Sequence, residues 1–191
     1  MKFVQPIRDL DVIEGMKEYL KQTNERDYIF FCLGIYTGLR VSDLLMQRVH
    51  SVKGTHIKVV EAKTGKEKKS IIPPDFKPEL YAYIQGKKDD DFLFPSRQVK
   101  RKSKLKGRPI HRSMAYRMLN NVAQRFSLSE IGCHTLRKTY GYHLYMANPE
   151  SLAYLMDAFN HSHETITLRY LGLSQDRLDA MVVKALKHKK K

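Results

Sequence analysis

The stretch that most constrains the fold is "DYIFFCLGIYTG", Asp27 to Gly38. From about Arg26 to Thr37 it reads as a helix that is apolar nearly all round, so other elements must surround it. Its uninterrupted apolar run, Tyr28 to Tyr36, is too short for a bilayer, which needs about 20 apolar residues. Gly38 stops the helix, as a glycine just past a helix end commonly does. A chain of 191 residues can bury such a helix in one domain with a sizeable core, or at most in two small domains.

The remaining elements arrange themselves around that centre. Ile7 to Gln22 is an amphipathic helix, with Leu10, Ile13, Met16, Tyr19 and Leu20 at helical spacing. In "RVSDLLMQ", Ser42 is a candidate N-cap for a short helix carrying Leu44 and Leu45. His56 to Pro73 reads as a β-hairpin turned at Gly65. Asp75 to Gln85 is helical, and "GKKDDDFLFPS" is a loop with an apolar plug, Phe92 to Phe94. Helices follow at Ser113–Phe126, at His134–Met146, from Pro149 to near Phe159, and in a shorter piece ending at Tyr170. A last helix from about Ser174 places Leu178, Met181, Val182 and Ala185 on one stripe, before the basic tail "KHKKK". The expected class is mainly α (α+β): a helical domain over residues 1–186 with a small β-hairpin, and a tail at 187–191.

The formal net charge is +15, with a pI near 9.8, which speaks of partners rather than fold. A polyanion is the expected partner, nucleic acid first, against the alternative of a solvated basic surface. "RQVKRKSKLKGR", Arg97 to Arg108, holds seven basic residues in twelve and no acid, and reads as a mobile loop. Two cysteines without a framework pattern fit a reducing cytosol, and the N-terminus lacks the apolar segment of a signal peptide. The expected location is cytoplasmic, with no membrane partner.

Several polar residues invite chemistry. His134 and Arg137 are spaced i,i+3 and share a helix face. Two such cations side by side suggest a bound phosphate or carboxylate, although a core-edge histidine and a surface arginine would look the same. Arg40, just past the buried helix, has Asp43 as a candidate partner, for function or for a structural ion pair. Lys63 opens "KTGK" at the hairpin tip, where a lysine is ordinarily only solvated; Lys66, Lys68 and Lys69 compete for any role. His161 and Tyr170 are nine residues apart, which on one continuous helix is about 180° of rotation and roughly 13 Å of rise. To share a site they need a bend between them, and Asn160, Ser162 and Thr165 are cap-type residues that permit one. His161-x-His163 and Cys133–His134 could ligate zinc, but no carboxylate-rich partner or paired CxxC accompanies them, so neither metal nor cofactor is expected.

Taken in order, Arg40, Lys63, His134-x-x-Arg137, His161 and Tyr170 resemble the tyrosine recombinase (phage integrase) family in its catalytic domain. The matching stretches are "TGLRVSDLL", "AKTGKEKK", "HTLRKTYGYHL" and "FNHSHETITLRYL". The resemblance implies a site-specific recombinase or integrase. Tyr170 would attack a backbone phosphate of double-stranded DNA to give a 3′-phosphotyrosyl link, which a 5′-hydroxyl of the partner duplex then resolves. Arg40 and Arg137 would clamp the phosphate, and His161 would add a hydrogen bond. His134 would assist proton removal, Lys63 would protonate the leaving 5′-oxygen, and Asp43 would orient its neighbours.

Lys66 and the loop residues Arg97, Lys100, Arg101, Lys102, Lys104, Lys106 and Arg108 are expected to hold DNA without reading its sequence. Tyr140, Tyr142 and Tyr145 are expected to pack into the core. Asn160 stands where the family most often has Gly, and the family's N-terminal core-binding domain is not expected in this chain. The last helix would dock on a neighbouring protomer of a tetramer on DNA, or on its own domain, and a monomer without DNA is compatible with either. A type IB topoisomerase-like activity, a non-catalytic DNA-binding regulator and an RNA-binding protein are the rival readings.

Overall fold

In the computed structural model, which describes residues 4–60, 65, 67–96, 107–174, 181–184 and 186, the first two elements are α1 (Leu10–Thr23) and α2 (Glu25–Thr37). α2 is the expected central helix: Ile29, Phe30, Phe31, Cys32 and Leu33 are all 0% exposed. Asn24 both ends α1 and starts α2. Its N–H donates to Leu20 O, and its side chain accepts from Asp27 N–H. That single junction folds α1 back along α2, where Ile13, Met16 and Leu20 are buried. Leu10 is a correction: it is 63% exposed. Asp9 caps α1 and starts it at Leu10, so Ile7, ahead of the helix, enters the core instead.

α3 (Val41–Leu45) follows, then a tight turn at Val49–Val52 and the antiparallel pair β1 (His56–Val60) and β2 (Glu67–Ile71). Ser42 is a second correction. α3 already begins at Val41, with Leu44 N–H donating to Arg40 O, so Ser42 sits inside the helix rather than capping it. In the hairpin Ile57 faces Ser70 and Val59 faces Lys68, and these two apolar residues of β1 lie on the buried face while Val60 is exposed. α4 (Lys77–Ile84) comes next, then α5 (Arg112–Arg125), α6 (Thr135–Ala147), α7 (Leu152–Phe159) and α8 (Glu164–Tyr170). A mainly helical protein with one small sheet is what the sequence pattern calls for.

The chain divides into two compact units, Met1–Tyr140 and Gly141–Lys191. In the first, Leu93 and Phe94 plug the core as expected, Phe94 meeting Phe30 edge-on with ring centroids 5.2 Å apart. Phe92 is only half-buried, and Arg48 lies over its ring. Burial of each such large apolar side chain contributes about 1.5–3 kcal/mol. α5 adds Ala115, Leu119, Val122 and Ala123, and α6 adds Leu136 against Gly34 of α2, where a larger residue would overlap it. In the second unit α7 packs on α8. Gly141 is needed there for close approach: a Cβ would meet Phe159 and Leu171 at 2.7 Å. Residues 181–184 and 186 are helical, and Met181, Val182, Val183 and Leu186 are exposed. Tyr140, Tyr142 and Tyr145 are half-buried rather than core residues.

Gly38 ends α2 with φ +63° and ψ +15°, and a Cβ there would strike the Tyr140 ring. Gly86 also has a positive φ, +77°, but open space around it. Backbone strain of about 1–3 kcal/mol applies to alanine at either place. The clash should add about 1–3 kcal/mol at Gly38 alone. Urea denaturation of Gly38→Ala and Gly86→Ala should therefore rank Gly38→Ala well below; equal midpoints would mean that Tyr140 yields freely.

Candidate active site

The left-handed turn at Gly38 organises the residues gathered on the first unit. Gly38 N–H donates to Gly34 O, closing α2. Its carbonyl accepts from Arg137 Nη1 at 2.6 Å. Arg137 is only 6% exposed, so its charge is held by hydrogen bonding rather than by water. Two residues beyond the turn, Arg40 occupies the cap position of α3, half-buried, with Nη1 3.9 Å from Asp43 Oδ2. The expected Arg40–Asp43 pairing is thus present, as a long contact. Ser70 of β2 donates to Thr37 O at 3.0 Å, which ties the hairpin's base to the same turn.

His134 lies in the turn before α6 and keeps exposed surface. Its pKa is lowered from the ordinary 6.5, first by desolvation of the ring and then by the charges of Arg112, Arg137, Lys138 and Arg40. Lys138 is buried, donates to Val4 O at 2.6 Å, and is itself shifted down by burial. Several cations bearing on one imidazole repel one another. Such an arrangement suits an oxyanion that all of them can share, and a neutral imidazole that can take up a proton.

The residues on the second unit are joined by the bend that their spacing requires. Asn160 takes the left-handed conformation, φ +59° and ψ +49°, at the end of α7. Asn160 N–H donates to Asp157 O at 3.0 Å and His161 N–H to Met156 O at 2.9 Å, the paired bonds of a Schellman turn. His163 is then the cap residue from which α8 starts. This reversal brings His161 and Tyr170 together, with ring centroids 5.3 Å apart and planes at 69°. Phe159 completes a trio of rings, 5.7 Å from His161 and 5.2 Å from Tyr170. His161 Nδ1 is 3.0 Å from Oγ1 of Thr167. A positive φ of this kind is free for Gly and tolerable for Asn.

Other expected residues are placed less closely or not at all. Arg108 is exposed, its carbonyl accepting from Ser96 N–H at 2.7 Å, beside the Pro95–Pro109 bridge. Lys68 is half-buried opposite Val59, and Lys69 pairs with Glu67 at 3.8 Å. Lys63, Lys66, Arg97, Lys100, Arg101, Lys102, Lys104 and Lys106 lie outside the described residues, as do Leu178 and Ala185. Among the described residues no three His, Cys, Asp or Glu side chains are grouped to hold a metal ion. Nor, among them, is any helix long and apolar enough to cross a membrane. The sequence reading missed Arg112, Phe159 and Thr167. Arg112 is far from His134 in sequence and left no signal, whereas Thr167 could have been found three residues before Tyr170 on the same helix face.

The first unit thus carries a two-stranded hairpin beside a helical core and a group of cations, and the second a His–Tyr pair. Residues 9–177 match the phage integrase family model. The chain is 41% identical over 177 residues to the probable integrase/recombinase YoeC of Bacillus subtilis, covering 92% of this chain and 93% of that protein. The fold is shared with XerA recombinase (TM-score 0.71, 19% identity), of which it spans 95% of this chain and 64% of that one. It is also shared with XerH site-specific recombinase bound to a palindromic difH substrate (TM-score 0.67, 16% identity; 95% and 53%). The chain therefore spans about two thirds of the one solved protein and about half of the other. It belongs to the phage integrase family, the tyrosine recombinases.

Removing Arg112 as Arg112→Gln should raise the His134 pKa toward 6.5, because a positive neighbour is lost; an NMR titration reads this directly, and no rise would remove Arg112 from the site. With a lowered folded value, His134 stays neutral in the fold while the unfolded chain takes up a proton. Stability should thus fall as pH drops from about 6.5 through the folded pKa, and His134→Gln should flatten that limb. Asn160→Gly should stabilise by a few tenths to about 1 kcal/mol, while Asn160→Val should destabilise, as thermal unfolding would record.

Proposed function

We propose that this chain cleaves and rejoins double-stranded DNA through a covalent 3′-phosphotyrosyl intermediate on Tyr170, as a site-specific recombinase or integrase. The observation that carries the reading is the pair of guanidiniums set at one turn: Arg137 bonded to the Gly38 carbonyl, and Arg40 two residues on, both bearing on His134. Phosphoryl transfer asks chiefly for charge stabilisation and in-line placement, and fixed guanidiniums supply the first. The net charge of +15 and a DNA-bound relative of the same fold support DNA as the partner.

In this reading the Tyr170 oxygen forms a bond to phosphorus as the bond to the 5′-oxygen breaks. Arg40 and Arg137 hold the non-bridging oxygens, and His161 donates one more hydrogen bond. A tyrosine with an ordinary pKa near 10 needs help to lose its proton at neutral pH, and His134, kept neutral, accepts it. Lys63 gives a proton to the leaving 5′-oxygen; its part rests on its place in the sequence. The second step reverses the first: a 5′-hydroxyl of the partner duplex attacks, and Tyr170 leaves. The bond energy stays in the phosphotyrosine, so no nucleotide cofactor enters. Asp43 steadies Arg40. Arg108, with Lys66 and the basic residues from Arg97 to Lys106, holds backbone phosphates. The exposed Met181, Val182, Val183 and Leu186 offer a face for self-association on DNA.

The test is a nicked, labelled duplex pool of random sequence incubated with the protein and run on a denaturing gel. A covalent adduct should form with the wild type and vanish in Tyr170→Phe. Arg40→Ala and Arg137→Ala should each slow it by about 100-fold or more. An adduct that persists in Tyr170→Phe would assign the nucleophile elsewhere. Because His134 must be neutral to act, the rate should hold down to about pH 6.5 and fall only below it.

A further inference from the structure

Thr167 is 0% exposed and lies on α8, one turn before Tyr170. A threonine inside a helix ordinarily turns its hydroxyl back to the carbonyl four residues earlier. Here that carbonyl, His163 O, receives the N–H groups of Ile166 at 3.1 Å and Thr167 at 3.4 Å. The Thr167 hydroxyl instead meets His161 Nδ1 at 3.0 Å, across the Schellman turn. We infer that Thr167 is a positioning residue for strand cleavage: it holds His161 through Nδ1, so that Nε2 is the ring atom offered to the phosphate. The inference rests on the role given to His161 above.

Ring packing cannot make this choice. Phe159 and Tyr170 meet the imidazole with planes at 65° and 69°, and such contacts are nearly indifferent to a half-turn of the ring. A hydrogen bond at one nitrogen is not. For Nε2–H of a neutral imidazole to donate to a non-bridging oxygen, Nδ1 must be an acceptor, and the Thr167 O–H donates to it. If His161 is protonated on both nitrogens, Nδ1–H donates to the same oxygen. A hydroxyl serves in either state because it both donates and accepts. Setting the role of one ring nitrogen through the hydrogen bond of the other is a general use of histidine. Placement on α8 has a second consequence: the nucleophile and the anchor of its neighbouring histidine ride on one short helix and move together.

Thr167→Val keeps the shape and branching of the side chain and removes the hydroxyl; Thr167→Ser keeps the hydroxyl. In the adduct assay with the full chain, Thr167→Ser should stay within about threefold of wild type. Thr167→Val should slow the reaction by about tenfold or more, the scale seen when an outer partner of a working imidazole is lost. In a His161→Ala background the same Thr167→Val change should cost nothing further, which a purely structural role would not produce. Equal losses in both backgrounds, or none in either, would overturn the inference.

A second measurement needs no DNA. Nitrogen-15 spectra of the neutral His161 ring in the free protein should show Nε2–H with an acceptor at Nδ1, retained in Thr167→Ser and lost in Thr167→Val. An Nδ1–H tautomer in the wild type, or spectra unchanged in Thr167→Val, would sink the idea. No adduct from wild type would refute the reading of Tyr170, while these spectra would still decide Thr167.

Discussion

The bond from Arg137 to the Gly38 carbonyl is the contact on which the cationic part of the site depends. It requires a backbone carbonyl at the end of a buried helix, where the chain leaves the helix through a left-handed residue at position 38. The same turn sends the chain directly into α3, which fixes Arg40 at the cap position, and receives the hairpin through Ser70. A guanidinium that is almost wholly buried cannot drift as a surface arginine does, so its charge stays fixed in place. The cost of collecting several cations is visible in His134, whose protonated form they and the loss of solvent disfavour.

The second unit solves a different problem with the same device. A continuous helix would turn His161 and Tyr170 to opposite sides. The Schellman turn at Asn160 removes that obstacle in a few residues, and Phe159, packed against Gly141, gives both rings a common floor. Both units thus use a left-handed helix terminus to aim a functional side chain, with Gly38 in one and Asn160 in the other.

Much of this was legible in the chain. The all-round apolar pattern of α2, the Val and Ile clusters on either side of the polar tip at Gly65 and the ordered residues from Arg40 to Tyr170 led to the fold and the family. Boundaries were less so. Leu10 fits a helical stripe on paper, but Asp9 starts the helix beneath it and leaves Leu10 in solvent. Ser42 has the chemistry of a cap, but the turn at Gly38 had already launched α3. Neither outcome depends on residue type alone; both depend on how the preceding segment enters.

The sequence by itself determined which side chains are available and in what order, since helix periodicity, glycine and the spacing of His, Arg and Tyr are local properties of the chain. It also determined that a bend must fall between His161 and Tyr170 if the two are to share a site. Tertiary structure decided which groups act on one another. Arg112 reaches the field of His134 only because α5 and the start of α6 are folded together, and Thr167 becomes a histidine's partner only because the chain reverses at Asn160. Charge and hydrogen bonding act over a few ångströms of space, and no spacing along the chain reports that distance until the backbone has turned.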